Sequence, residues 1–219
     1  MLYERRAQAM QRLADHARYG FVHHTQGQVP RRKWPRLQAK FCHRYHASDD
    51  RSVRRRYRRH GIAPSLLVAQ HDSYYDIVWW WLLVTDKGLN LAHSEETLHH
   101  VQDRQNRVTY GPPDTPLYEM LQVSGKWSWR MSRSHIAEWE ARIHEVVTLH
   151  DFDAAKQRSL QAHYSLAQVP GFRGIRKNAF QLQGMLREKW KRHWRRSHPL
   201  PAQVLARHRI RYVRRLPQR

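Results

Sequence analysis

The hydrophobic pattern is strongest in one place. Residues 77–85 read Ile-Val-Trp-Trp-Trp-Leu-Leu-Val-Thr, an uncharged run held between Asp76 and Asp86-Lys87-Gly88. The run is too short to span a bilayer, and its β-branched and aromatic content predicts a strand buried on both faces. Successive side chains of a strand alternate, so Trp80 faces away from Trp79 and Trp81, and both faces need cover. Residues 66–70 predict an antiparallel neighbour, joined to Tyr75 and the central run through a turn around His71-Asp72-Ser73. Residues 108–110, 117–123 and 127–131 predict three more strands, with Gly125 between the last two. Residues 21–25 predict a short strand. The following stretch, 26–33, carries Gly27 and Pro30 and reads as a loop.

Helical spacing occupies the rest. Ala7, Met10, Leu13, Ala14 and Ala17 share a face within residues 4–18, and Gly20 is a natural stop. Pro35 starts a second helix with Leu37, Phe41 and Tyr45 together. Asp49 and Asp50 then precede an arginine run ending at Gly61, acids at the start and glycine at the end as a helix prefers. Ser94-Glu95-Glu96 predicts a cap for a short helix with Leu98 and Val101 inward. Ser134 predicts the cap of another running through Val147, with Ile136, Trp139, Ile143 and Val146 on one face. After a helix at 153–166 and a break at Val169-Pro170-Gly171, residues 172–194 hold the longest periodic signal, through Phe172, Ile175, Ala179, Leu182, Leu186, Trp190 and His193 or Trp194. The predicted class is α+β: a mainly antiparallel sheet centred on 77–85 with packed helices, flanked by basic helical segments. Residues 1–60, 61–150 and 151–219 are its natural divisions, and 61–219 can be one domain.

Charge changes the picture. Forty Lys and Arg against 18 Asp and Glu leave a formal net charge of +22 on 219 residues. Residues 31–60 hold twelve basic residues against two acids, and 171–219 hold fifteen against one, whereas 61–150 hold seven against eleven. A codon bias toward arginine would spread evenly, so two basic blocks around an acidic body imply a polyanionic partner, nucleic acid before membrane lipid. Cys42 is the only cysteine, which excludes an intramolecular disulfide and cysteine-based zinc fingers. With no apolar signal region at the N-terminus, a cytoplasmic location is expected.

Two stretches are candidate contact sites. In residues 51–59, Arg51, Arg54, Arg55, Arg56, Arg58 and Arg59 crowd around Val53 and Tyr57, and their mutual repulsion is relieved by a bound polyanion. At the start of the last helix, Gly171 and Gly174 can bring backbone amides to a phosphate, with Arg173, Arg176 and Lys177 closing around it. Arg187, Lys191, Arg192 and Arg195 extend the polar face of that helix. Tyr57 and Trp194 are the candidates for stacking on unpaired bases, and Arg207, Arg209, Arg211, Arg214 and Arg215 form a peripheral tail.

Seventeen histidines raise catalytic readings. His71 can act as a general base toward a ribose hydroxyl or phosphodiester, with Tyr74 or Tyr75 positioning the group, although a plain polar turn explains the same residues. Cys42-His43-Arg44-Tyr45-His46 lacks a third metal ligand, and the pairs His23-His24 and His99-His100 point apart, so no metal and no cofactor are expected. The recognition signatures of RNA-recognition motifs, KH domains, zinc fingers and basic zippers do not appear. The expected function is binding of RNA or single-stranded nucleic acid as an accessory subunit of a nucleoprotein complex, with protein subunits as further partners and no membrane. A metal-independent nuclease and a duplex-DNA-binding accessory protein of a mobile element are the alternatives.

Overall fold

The computed structural model describes residues 2–47, 50–123, 125–194, 199–201, 204 and 210. Among these the fold is α+β, with seven α-helices and two sheets. Two compact units divide the chain: Met1–Pro113 with Glu119–Ser128, and Asp114–Tyr118 with Trp129–Arg214. These boundaries differ from the divisions drawn by charge, because packing ignores where the arginines lie.

The first unit contains β1 (Leu2–Tyr3), α1 (Arg6–Arg18), β2 (His23–Pro30), a 3-10 turn (Arg31–Lys33), α2 (Trp34–Arg44), α3 (Arg51–Arg59), β3 (Ser65–Asp72), β4 (Ile77–Val84), α4 (Ala92–Glu95), β5 (His99–His100) and β6 (Thr109–Tyr110). Its five-stranded sheet has the order β1-β3-β4-β2-β5. The Trp-rich strand β4 is therefore central. It pairs antiparallel along its whole length, from Ser65↔Val84 to Asp72↔Ile77 with β3 and from His23↔Val84 to Pro30↔Ile77 with β2. The β1–β3 pair is parallel, which makes the sheet mixed.

Both faces of β4 are covered. Val78, Leu82 and Val84 join Leu67 and Ala69 in a cluster with Trp34, Phe41 and Tyr45 from α2 and its C-terminal end. Trp80 packs against this cluster, its ring centroid 5.1 Å from that of Phe41. On the opposite side Trp79 and Trp81 each lie 6.0 Å from the ring of Tyr110. The Trp81 indole donates to the Thr109 carbonyl at 2.9 Å, and the Tyr110 hydroxyl donates to Gln70 at 2.8 Å. Each large apolar side chain buried in this way stabilises the fold by about 1.5–3 kcal/mol.

The stretch expected to be a loop is strand instead. β2 continues through Gly27 to Pro30, and the reason lies in its neighbours. Gly27 pairs across from Trp80, and a Cβ added there would sit 2.7 Å from Trp80 Cζ2, so the indole occupies the space a side chain would take. Past His24, among the described residues, no strand covers the outer edge of β2. Gln26 uses its side chain there, accepting from the Thr109 amide at 2.9 Å and donating to the Thr109 hydroxyl at 2.7 Å. Proline tolerates such an edge because no ladder donor is required of it.

The acids at the end of α4 also differ from expectation. The helix ends at Glu95 and the chain extends into β5, because the carboxylates serve α2 rather than a cap. Glu96 accepts from Lys40 at 2.8 Å and from the Tyr45 hydroxyl at 2.6 Å, while Arg44 pairs with Glu95. Residues 1–60 hold strands as well as the basic helices α1, α2 and α3. They supply β1, β2 and the helices that cover the sheet.

A hairpin of β7 (Tyr118–Val123) and β8 (Lys126–Met131) pairs with β6 in the order β6-β7-β8, turning at Gly125 with φ 73°. The second unit then packs α5 (Arg133–Val147), α6 (Phe152–Ala167) and α7 (Arg173–Trp194) pairwise. Ser132, not Ser134, caps α5 by accepting from the His135 amide at 3.1 Å, and Asp151 caps α6 through the amides of Asp153 and Ala154. The α7 periodicity holds, with Ile175, Ala179, Leu182, Leu186 and Trp190 buried. In its last turn Trp194 is half-buried and His193 exposed. Of the expected tail, Arg207, Arg209, Arg211, Arg214 and Arg215 lie outside the described residues, as does Arg195.

Candidate nucleic-acid interface

The arginine run folds as the helix its flanks imply. Asp50 caps α3, its carboxylate accepting from Ser52 at 2.7 Å and Val53 at 3.4 Å, and Gly61 follows the helix with φ 73°. Val53 and Tyr57 turn inward, and the Tyr57 ring rests 4.8 Å from His46. Arg54 is half-buried on the same helix. Burial first, then the charges of Arg54 and Arg12, push His16 down to about 3. Arg51, Arg55, Arg56, Arg58 and Arg59 are exposed, and among the described residues none of the five forms an ion pair. Five like charges on nine residues repel at i, i+3 and i, i+4.

A second basic group precedes α2. Arg31, Arg32, Lys33 and Arg36 are exposed on the 3-10 turn and the first turn of the helix, whereas Lys40 and Arg44 further along are matched by Glu96 and Glu95. α2 connects the two ends of the sheet. Near its start the Arg31 amide donates to the Asp76 carbonyl at 3.0 Å, at the Ile77 end of β4. After its end the Tyr45 carbonyl accepts from Ser65, which pairs with Val84 at the other. Seven steps of strand separate these ends, about 23 Å. The group at Arg31–Arg36 and the arginine face of α3 thus stand at opposite ends of one unit, joined by α2.

The β3–β4 turn brings His71, Tyr74 and Tyr75 together. Asp72 organises it by accepting from the Tyr74 amide at 3.1 Å and the Tyr75 amide at 3.4 Å, and Asp76 closes it with φ 49°. Arg31 Nη1 lies 2.8 Å from His71 Nδ1, and Asp76 Oδ1 lies 3.3 Å from Nε2. The same Arg31 nitrogen lies 3.3 Å from Nε2, so the guanidinium and the Asp76 carboxylate both stand at the imidazole. The two tyrosine rings stand in solvent, 85% and 68% exposed, with centroids 4.7 Å apart edge to face.

The start of α7 is built differently from the cradle its sequence implies. A Cβ at Gly174 would lie 2.5 Å from the Trp129 carbonyl oxygen and 3.0 Å from Arg130 Cβ, so the glycine allows the helix to approach β8. Asn178 reinforces the contact by accepting from the Met131 amide at 3.2 Å. Arg173 and Lys177 are exposed and Arg176 is half-buried. Trp194 belongs to the packing of its unit: its indole donates to the Val147 carbonyl at 2.9 Å, and its ring lies 5.2 Å from Phe152 and 5.7 Å from Trp190. Lys191 and Arg192 are exposed beside it, and Arg187 is half-buried. Tyr57 and Trp194, expected to stack on bases, are both committed to protein contacts.

Histidines gather on β2 and β5. His23 sits 5.6 Å from His93 and 5.7 Å from His100; burial, then these two neighbours, hold it below the ordinary imidazole value, while Asp86 opposes them. His24 is buried, its Nε2 3.0 Å from the Asn106 carbonyl and its Nδ1 without a hydrogen-bond partner among the described residues, and burial is the main cause that lowers it to about 4. His23, His46, His93, Asp86 and Asn90 line an open cavity of about 710 Å³. Among the described residues no three His, Cys, Asp or Glu side chains converge as metal ligands.

Fold and surface together define a two-unit α+β protein whose sheet unit carries an exposed arginine helix. No family model matches the chain, and no curated protein or solved structure matches it either. Among the described residues no helix is long and apolar enough to cross a membrane.

Proposed function

We propose that the protein binds nucleic acid, RNA or single strands in preference to duplex, as a structural or accessory subunit of a nucleoprotein complex. The observation that carries this reading is α3: a capped helix that exposes Arg51, Arg55, Arg56, Arg58 and Arg59 with no ion pair among the described residues to offset them. Holding these charges together without a counter-charge is unfavourable, and a phosphate backbone removes the cost by releasing counterions. Arg32, Lys33 and Arg36 add unmatched cations at the far end of α2, so a strand following the helix meets positive charge at both ends. Exposed Arg173, Lys177, Lys191 and Arg192 give the second unit its own basic surface.

The test is fluorescence anisotropy with labelled single-stranded RNA, single-stranded DNA and duplex across a salt series. Replacing Arg51, Arg55 and Arg58 by Gln preserves helix propensity and lowers the slope of log K against log salt by about 2 for a single strand. An unchanged slope removes α3 from the interface, and a wild-type protein that binds none of the three probes refutes the reading.

A further inference from the structure

The exposed tyrosines at the β3–β4 turn have no role in the packing of the fold. A hairpin tip normally ends in small polar residues, whose solvation costs nothing. This one places two phenol rings in water side by side. Among the large hydrophobic side chains exposed on the described residues, only Leu89, at 86%, is as open as Tyr74. The turn is also tied by hydrogen bonds: Asp72 accepts from both tyrosine amides, the Asp76 carbonyl holds the Arg31 amide, and Arg31 lies against His71. Aromatic rings presented on a fixed turn lose little freedom when a flat partner settles on them.

The surrounding charge selects that partner. Asp72 is turned to backbone amides, and Asp76 stands at His71, next to Arg31. Arg32, Lys33 and Arg36 remain exposed, and among the described residues no acid pairs with them. Rings on a turn whose Asp76 carbonyl holds the Arg31 amide, at the head of the Arg31–Lys33 basic run, match a nucleotide with an unstacked base, whose π-face meets tyrosine while its phosphate meets lysine or arginine. A duplex keeps its bases stacked and paired away from such a tip.

We infer that Tyr74 and Tyr75 form a stacking finger for unpaired bases, with Arg32, Lys33 and Arg36 holding the adjacent phosphates. This deepens the proposed nucleic-acid binding and rests on it: α3 supplies sequence-independent attraction, and the finger makes the protein prefer single strands. The shared chemistry is an exposed base on a phosphodiester chain, whether ribose or deoxyribose.

The experiment uses the full chain and labelled single-stranded RNA, single-stranded DNA, abasic DNA and duplex, each of about 12 nucleotides, within the site size of single-strand-binding domains. The expected result for Tyr74→Ala/Tyr75→Ala is about tenfold or greater loss of single-strand affinity, with duplex and abasic binding unchanged, because stacking on one aromatic is worth that much. Tyr74→Phe/Tyr75→Phe restores binding, since the ring and not the hydroxyl does the stacking. A larger effect on RNA than on DNA identifies the favoured source. Equal losses on all probes, or no loss on a wild type that binds single strands, overturns the finger while leaving α3 in place. Failure of the Phe variant overturns stacking. A wild type that binds no probe overturns both readings. Both side chains are mostly in solvent, so an unchanged thermal midpoint confirms that the variants fold.

Discussion

Gly27→Ala tests whether β2 is built around its neighbour's indole. The added methyl meets Trp80 Cζ2 at 2.7 Å, Cε2 at 3.0 Å and Nε1 at 3.2 Å, whereas ordinary contact begins near 3.4 Å. The ring must retreat by about 0.7 Å, and it is backed by Phe41 with centroids 5.1 Å apart. Overpacking of this kind costs about 1–3 kcal/mol, and the loss of glycine's freedom in the unfolded chain returns about 0.4–1 kcal/mol. The expected net effect is destabilisation by about 1–2 kcal/mol, read as a lower urea midpoint at unchanged m-value. A double-mutant cycle isolates the cause. In a Trp80→Leu background the methyl finds room, so Gly27→Ala becomes neutral or stabilising there. A neutral effect in the wild type, or the same cost in both backgrounds, refutes the reasoning.

Acid should weaken the first unit through His24. Its value falls from the ordinary 6.5 to about 4, so the unfolded chain binds the proton first; stability is complete above about pH 6.5 and falls by up to about 3 kcal/mol as the pH drops toward 4. Urea midpoints at about pH 7 and about pH 5 should differ less for His24→Gln than for wild type, and an equal difference assigns the acid sensitivity elsewhere. Gly174→Ala should destabilise the second unit despite alanine's better helix propensity, because the methyl meets backbone at the Trp129 carbonyl rather than a movable side chain. Its expected signature is a lower thermal midpoint with unchanged oligonucleotide affinity per folded molecule; lost affinity at normal stability would return the glycine to a phosphate site.

Elements whose signal is local were legible. The β4 run, the α3 flanks and the α7 periodicity all lie where side-chain pattern alone places them, and the need for cover on both faces of β4 follows from alternation. Elements whose cause is remote were not. Gly27 and Pro30 carry breaker chemistry, and only Trp80, far along the chain, turns that stretch into a strand. Glu95 and Glu96 read as helix-starting acids until Arg44, Lys40 and Tyr45 claim them. The candidate site divides in the same way. The arginines of α3 show in the sequence, but Tyr74 and Tyr75 read as catalytic helpers, and Arg31–Arg36 read as loop and helix surface. Their meeting depends on β2 and β3, on opposite sides of β4, both ending at its Ile77 end. For Gly174 the misleading signal was glycine beside basic residues, which looks alike whether the small residue admits a phosphate or a strand.

The strand order also sets when this protein can fold during synthesis. β2 is made early, yet its first neighbour in the sheet is β4, so it stays unpaired until the chain has reached Val84, and its other edge waits for β5 at His99–His100. Through that interval α2 has no platform for Trp34, Phe41 and Tyr45, while α3, capped locally by Asp50, is free to form. Long-range pairings of this kind slow folding and leave apolar surface open in the meantime. A nascent chain would therefore display its arginines before it can hide its aromatics, and its yield in the cell should respond to chaperone supply more than the stability of the finished sheet would suggest.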